Sequence, residues 1–320
     1  MMHHEVGCSL TLREGDDVAP PGPDFDLGAW SDEELSFDVG APIPECRDLA
    51  SAALGLHRRF RVRSVVQGTL ADQERRLRRF APTALSAALA PLLRAAGWRA
   101  WCPAADAPAW RWLWRSFERF EATFGEVPAL DELAFFDRSF RVAARPDGPS
   151  LERADENLAV FGAGTMAVYR GAETHARAKP LPAGRSEVGA PAPLFALSAA
   201  DGFAFYVVHE LAHGLVEMHP DGRAHLEDFK LLAGWVDGAL YDAGSREVDT
   251  IGPTLRLPTT RRISATTWND GWAEQPITQY STVHAVEDFA ESAAAYALAP
   301  RLLALRAPRR SAFFEQRFPR

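Results

Sequence analysis

The stretch Val207-Val208-His209-Glu210-Leu211-Ala212-His213 places H-E-x-x-H inside an apolar run, Phe203 to Val216, of helical length and spacing. Residues four apart share one face of a helix, so His209 and His213 can turn two imidazoles towards one metal ion. Glu210 stands one step round from His209 and can reach a water held by that ion without being a ligand. Two neutral nitrogens with a carboxylate base beside them form the donor set of a zinc hydrolase. The bland alternative is an amphipathic helix that happens to carry two of the nine histidines of the chain. Ser198 or Asp201 can cap the helix, and His219-Pro220-Asp221-Gly222 breaks it.

A catalytic zinc needs a third protein ligand and keeps its fourth position for water. Two residues compete for that place. His219 follows His209 by ten residues (219 − 209 = 10), the spacing of H-E-x-x-H-x-x-G-x-x-H. That pattern needs a glycine with φ > 0 at the turn, where this chain has the β-branched Val216, and a later methionine, whereas none of the four methionines follows His219. The helix dipole explains a histidine at that end equally well. The other candidate is Glu287, in Val286-Glu287-Asp288-Phe289-Ala290-Glu291-Ser292, a carboxylate on a separate helix. Glu291 shares its face and can accept a hydrogen bond from a ligand imidazole. Asp288 points elsewhere, into solvent.

Composition bounds the rest. Hydrophobic residues make up 47 % and charged residues 24 % of 320, as in a soluble globular protein of one large domain or two modest ones. A net charge of −8 argues against nucleic acid, whose phosphates need a concentrated positive face. Three scattered cysteines, Cys8, Cys46 and Cys102, define neither a disulfide framework nor a cysteine zinc knuckle. The N-terminus lacks a basic segment followed by an apolar one, and no uncharged run reaches membrane-spanning length. The expectation is a cytoplasmic protein without membrane insertion, with export by a signal-independent route left open.

Along the chain, residues 1–45 are acidic and Pro/Gly-rich and read as a flexible tail, with a partner-binding or inhibitory arm bearing Cys8 or Cys46 as the alternatives. Residues 46–125 read as mostly helical. A short strand is expected over 59–66, helices over 70–80 and 84–96, and then a Trp-rich segment (Trp98, Trp101, Trp110, Trp112, Trp114) that reads as packing rather than a ligand platform. The catalytic domain is assigned to 126–320. Residues 129–145 read as a helix followed by a strand from Ser139 to Ala144, and Leu158–Phe161 and Met166–Tyr169 as a hairpin around Gly162-Ala163-Gly164. Such an edge upstream of the metal helix can align an extended substrate by strand addition. A loop over 171–193, a helix from Leu226 to Leu240, irregular chain over 242–276, a helix from Val286 to Leu298 and a docked C-terminal helix carrying Phe313, Phe314 and Phe318 complete the reading.

The run Tyr280 to Glu291 resembles the pattern Y-x6-E-[DE]-F-A-E of gluzincin metallopeptidases similar to anthrax lethal factor, and Phe229–Trp235 resembles their F-x-x-L-x-G-W segment. The resemblance covers residues 200–300 and implies an α+β, zincin-like fold: a small twisted sheet with an edge strand, the H-E-x-x-H helix and the Glu-bearing helix. It implies His209, His213 and Glu287 as ligands of Zn2+, Glu210 as general base and Tyr280 as donor to the developing oxyanion, with Glu291 behind the ligands. A phenol with a pKa near 10 stays protonated for that task. The expected activity is hydrolysis of protein or peptide substrates, in a housekeeping peptidase or in an effector. The rival is an inactive zincin-like binding protein with a structural zinc, its fourth position closed by His219 or His225.

Overall fold

The computed structural model describes residues 49–78, 85, 87–104, 107–143, 150–154, 158–174, 199–233, 235–236, 239–243, 260–262, 277, 281 and 284–319. The tail over 1–45 with Cys8 and Cys46, most of the loop over 171–193, most of 242–276, the residues at 81–84, Ser198 and Tyr280 lie outside them. In chain order the elements are α1 (Leu49–Phe60), β1 (Val65–Gln67), α2 (Leu70–Arg78), α3 (Leu89–Ala95), α4 (Pro108–Phe124), β2 (Glu132–Phe136), β3 (Phe140–Ala143), β4 (Ser150–Arg153), β5 (Ala159–Gly162), β6 (Thr165–Tyr169), α5 (Gly171–Thr174) and α6 (Ala199–Met218). They continue with α7 (Gly222–Ala233), β7 (Trp235–Val236), β8 (Ala239–Ala243), β9 (Thr260–Arg262), α8 (Ala285–Leu298), α9 (Pro300–Arg306) and α10 (Pro308–Arg317). The class is α+β.

The main sheet has the order β1-β2-β6-β5. Its first three strands run parallel and β5 pairs antiparallel with β6 at the edge. The β5–β6 hairpin closes on Ala163 (φ 51) and Gly164 (φ 74), two successive left-handed residues that match the right-handed twist of the strands. The central strand β2 overturns the expectation of a helix after residue 129. Leu133 to Phe136 are all buried, so the strand is covered on both faces and shows no alternation to distinguish it from a buried helix. Of the strand expected over 139–144, Phe140–Ala143 form β3, and Ala144 lies outside the described residues.

Two other boundaries move. α1 continues to Phe60, Arg61 ends it with φ 59, and only Val65 and Val66 of the expected strand pair with β2, joined by Gln67. α7 stops at Ala233, and Trp235–Val236 turns back on Ala239–Leu240 as a hairpin rather than extending the helix to Leu240.

α6 is the centre of the molecule and packs against α8, α4 and β5. It is apolar nearly all round because neighbours surround it, with Phe203, Val207, Val208, Leu211 and Leu215 all buried. The Trp-rich segment is packing, as its composition suggests. Trp110 meets Phe135 edge to face at 5.0 Å and Trp114 meets Phe60 at 5.1 Å, which ties α4 to the sheet and to α1. The C-terminal helix docks as expected, with Phe314 against Phe289 at 5.4 Å and Phe313 against Phe229 at 5.5 Å. One apolar cluster therefore draws on residues from Leu56 to Phe318.

Candidate metal centre

α6 sets His209 and His213 one turn apart with ring centroids 4.7 Å from each other. α8 crosses this face. Its start is fixed by His284, whose Nδ1 accepts a hydrogen bond from the Val286 N–H at 3.2 Å, so Glu287 falls in the first turn opposite the imidazoles. Three donor atoms converge. His209 Nε2 lies 3.1 Å and His213 Nε2 3.2 Å from Glu287 Oε2, and the two nitrogens are 3.0 Å apart. One hydrogen can bridge only one pair of these atoms at a time, whereas one cation satisfies all three lone pairs. His209, His213 and Glu287 form a group able to hold a metal ion.

The surroundings orient this group. His209 Nδ1 stands 3.0 Å from Glu291 Oε1, which keeps the ring proton on Nδ1 and turns the Nε2 lone pair to the centre. Glu291 is buried, so this partner is sealed from solvent. Burial alone would lower the His209 pKa, but hydrogen bonds to Glu287 and Glu291 and the charges of Glu291 and Glu210 outweigh it and hold the pKa well above the usual value. Burial pushes Glu287 the opposite way, and the charge of His213 with hydrogen bonds to both histidines holds it well below the carboxylate range.

Glu210 is not one of the three donors. Its Oε2 accepts the Phe161 N–H of β5 at 2.7 Å, a contact invisible to sequence because it depends on where the edge strand lies. Burial raises its pKa, with His209 and His213 pulling back and Glu287 adding to the rise. Seven residues on, Glu217 Oε1 accepts the Ala163 N–H at 3.1 Å. The same face of α6 thus grips the edge strand at two outward-pointing amides.

Asp288 corrects its expected placement in solvent. It is fully buried and receives Arg310 Nη2 at 2.7 Å, Arg310 Nε at 3.2 Å and Trp235 Nε1 at 2.9 Å. Trp235 lies in the quoted Phe229–Trp235 segment, which was the available signal, while nothing local announces Arg310. His219 does not join His209 and His213. It gathers with Asp221 and His225 beyond the end of α6. No protein-family model, curated protein or solved structure matches this chain.

Proposed function

We propose that the protein is a zinc-dependent metallopeptidase with a zincin-like catalytic half. The observation that carries this is the hydrogen bond from the Phe161 N–H to Glu210, because it sets a buried carboxylate between the three donors and the outer edge of a sheet. Donor atoms 3.0–3.2 Å apart suit tetrahedral zinc, whose ligands at roughly 2.0–2.1 Å stand about 3.3 Å from one another. A structural zinc site has no use for a carboxylate in that place. Zinc held by His209, His213 and Glu287 supplies Lewis acidity that polarises a peptide carbonyl and brings the pKa of a water to about 7.

The protein groups do the rest. Phe161 donates away from β6, so by the two-residue period of an antiparallel ladder the main chain of Ala159 and Phe161 faces outward. An extended peptide adding beside β5 would lie across Glu210 and the three donors. With Oε2 tied to Phe161, Glu210 offers Oε1 to take the proton of the attacking water and pass it to the leaving amine. Tyr280, assigned by resemblance, would donate to the developing oxyanion.

The test uses quenched fluorescent peptide libraries with the zinc-loaded chain. Wild type is expected to cleave, phenanthroline to stop it and added zinc to restore it. Glu210→Gln should keep its zinc and lose about 10²–10⁴ in rate, and Tyr280→Phe about 10²–10³. A zinc-loaded Gln variant with the wild-type rate would overturn the mechanism.

A further inference from the structure

His219, Asp221 and His225 form a second cluster whose ligand atoms all lie within 4.8 Å of one another. The chain folds tightly here. His219 N–H donates to Leu215 O at 3.2 Å, Gly222 N–H to His219 O at 3.0 Å and His225 N–H to Asp221 O at 2.9 Å, so the turn between α6 and α7 is fixed by its own backbone. A Cβ on Gly222 would stand 2.3 Å from Leu215 O, which leaves no room for another residue at this bend. The two imidazoles lie nearly parallel, 5.8 Å between centroids at 28°, and Phe318 packs edge-on against His225 at 5.3 Å.

Within that frame one atom is left over. His225 Nδ1 is buried and has no hydrogen-bond partner among the described residues, a costly arrangement for a polar group. Nδ1 therefore faces the cluster as a nitrogen donor beside the His219 ring. Asp221 brings the negative charge, and Arg317 is turned aside into an ion pair with Asp228. The Asp221 N–H reaches His219 Nδ1 at 3.1 Å, which fixes the orientation of that ring.

We infer that His219, Asp221 and His225 bind a divalent first-row transition metal of the Zn2+, Co2+ and Ni2+ class. Two imidazoles disfavour Ca2+ and Mg2+, which take oxygen ligands. The three ligand atoms lie within 4.8 Å of one another, and ligation at roughly 2.0–2.1 Å would draw them to about 3.3 Å, with the exposed Asp221 and half-buried His219 as the side chains that move. His219 is six residues beyond His213, about 9 Å along the helix axis, so the two sites are separate. An ion there would pin the end of α6 to the start of α7, with Phe318 of the C-terminal segment against it. This inference stands whether or not the three donors at His209 serve a peptidase.

The test is a Co2+ and Zn2+ titration, with metal per chain by elemental mass spectrometry and melting temperature as a second readout. The variants are His219→Gln/Asp221→Asn, which spares the buried ring, His213→Gln/Glu287→Gln, and all four changes together. Wild type should take two equivalents, each double variant one, and the fourfold variant none. Zinc should raise the melting temperature of His213→Gln/Glu287→Gln and lose that effect in the fourfold variant. If His219→Gln/Asp221→Asn takes as many equivalents as wild type, the second site does not exist. If wild type takes a single equivalent and His219→Gln/Asp221→Asn abolishes it, the second site stands and the zinc reading at His209 fails.

Discussion

Glu287 and Asp288 are neighbours in the first turn of α8, and the fold gives them opposite surroundings. Glu287 keeps 19 % of its side chain exposed and faces two imidazole nitrogens of α6. Asp288 keeps none and faces a guanidinium that the chain itself supplies, Arg310, with an indole N–H beside it. A carboxylate meant for an exchangeable cation has to stay within reach of solvent. One whose cation is built in can be sealed, and its ion pair becomes a fastener between α8 and the C-terminal helix.

The largest effect should come from breaking the sealed pair. Arg310→Met leaves Asp288 charged in the core, and loss of one partner of a buried pair costs about 3–5 kcal/mol. Urea unfolding should read that loss directly. Adding Asp288→Leu to Arg310→Met should recover much of it, though not all, since the Trp235 N–H then lacks its acceptor, worth about 1–3 kcal/mol. A loss under about 1 kcal/mol for Arg310→Met would mean the pair is open to water after all.

Local pattern made one member of this pair of acids legible and hid the other. His209 and His213 follow from helical spacing and donor chemistry, Glu287 was one of two candidates and the one the resemblance implied, and Glu291 follows from its four-residue offset. Asp288 has the same local context as Glu287, and its burial depends on Arg310, 22 residues later on another helix. Periodicity says which residues share a face of one helix but not what that face meets. The same gap explains β2, where a strand covered on both sides carries no alternation, and the end of α7, where Trp235 is drawn out of the helix to reach Asp288. The hairpin was readable because two β-like runs flank Gly162-Ala163-Gly164.

The exposed half of the comparison is sharpened through Glu291, which stands behind His209 as Arg310 stands behind Asp288. Glu291→Gln keeps the shape and removes the charge that steers the His209 proton. Zinc affinity, measured by competition with a chromophoric chelator, should fall about 10–100-fold, or about 1.4–2.8 kcal/mol. Glu287→Gln should cost more affinity than that, yet less stability than Arg310→Met. If Glu291→Gln binds zinc as tightly as wild type, the carboxylate only fills space.

Glu217 gives the comparison its lower bound, an acid whose partner is a backbone N–H. It sits on the surface of α6 and accepts the Ala163 N–H, so its partner is a neutral dipole and water competes for both groups. Glu217→Ala should cost only about 0.5–1 kcal/mol. That contact matters locally because Ala163 sits at φ 51, a left-handed position that costs an L-residue about 1–2 kcal/mol. Ala163→Gly should therefore stabilise the protein by about 0.5–1 kcal/mol and do so equally with or without Glu217, since glycine keeps the N–H and changes only the backbone term. A gain from Ala163→Gly that appears only when Glu217 is absent would show instead that the carboxylate, and not the turn, holds the edge strand in register beside Glu210.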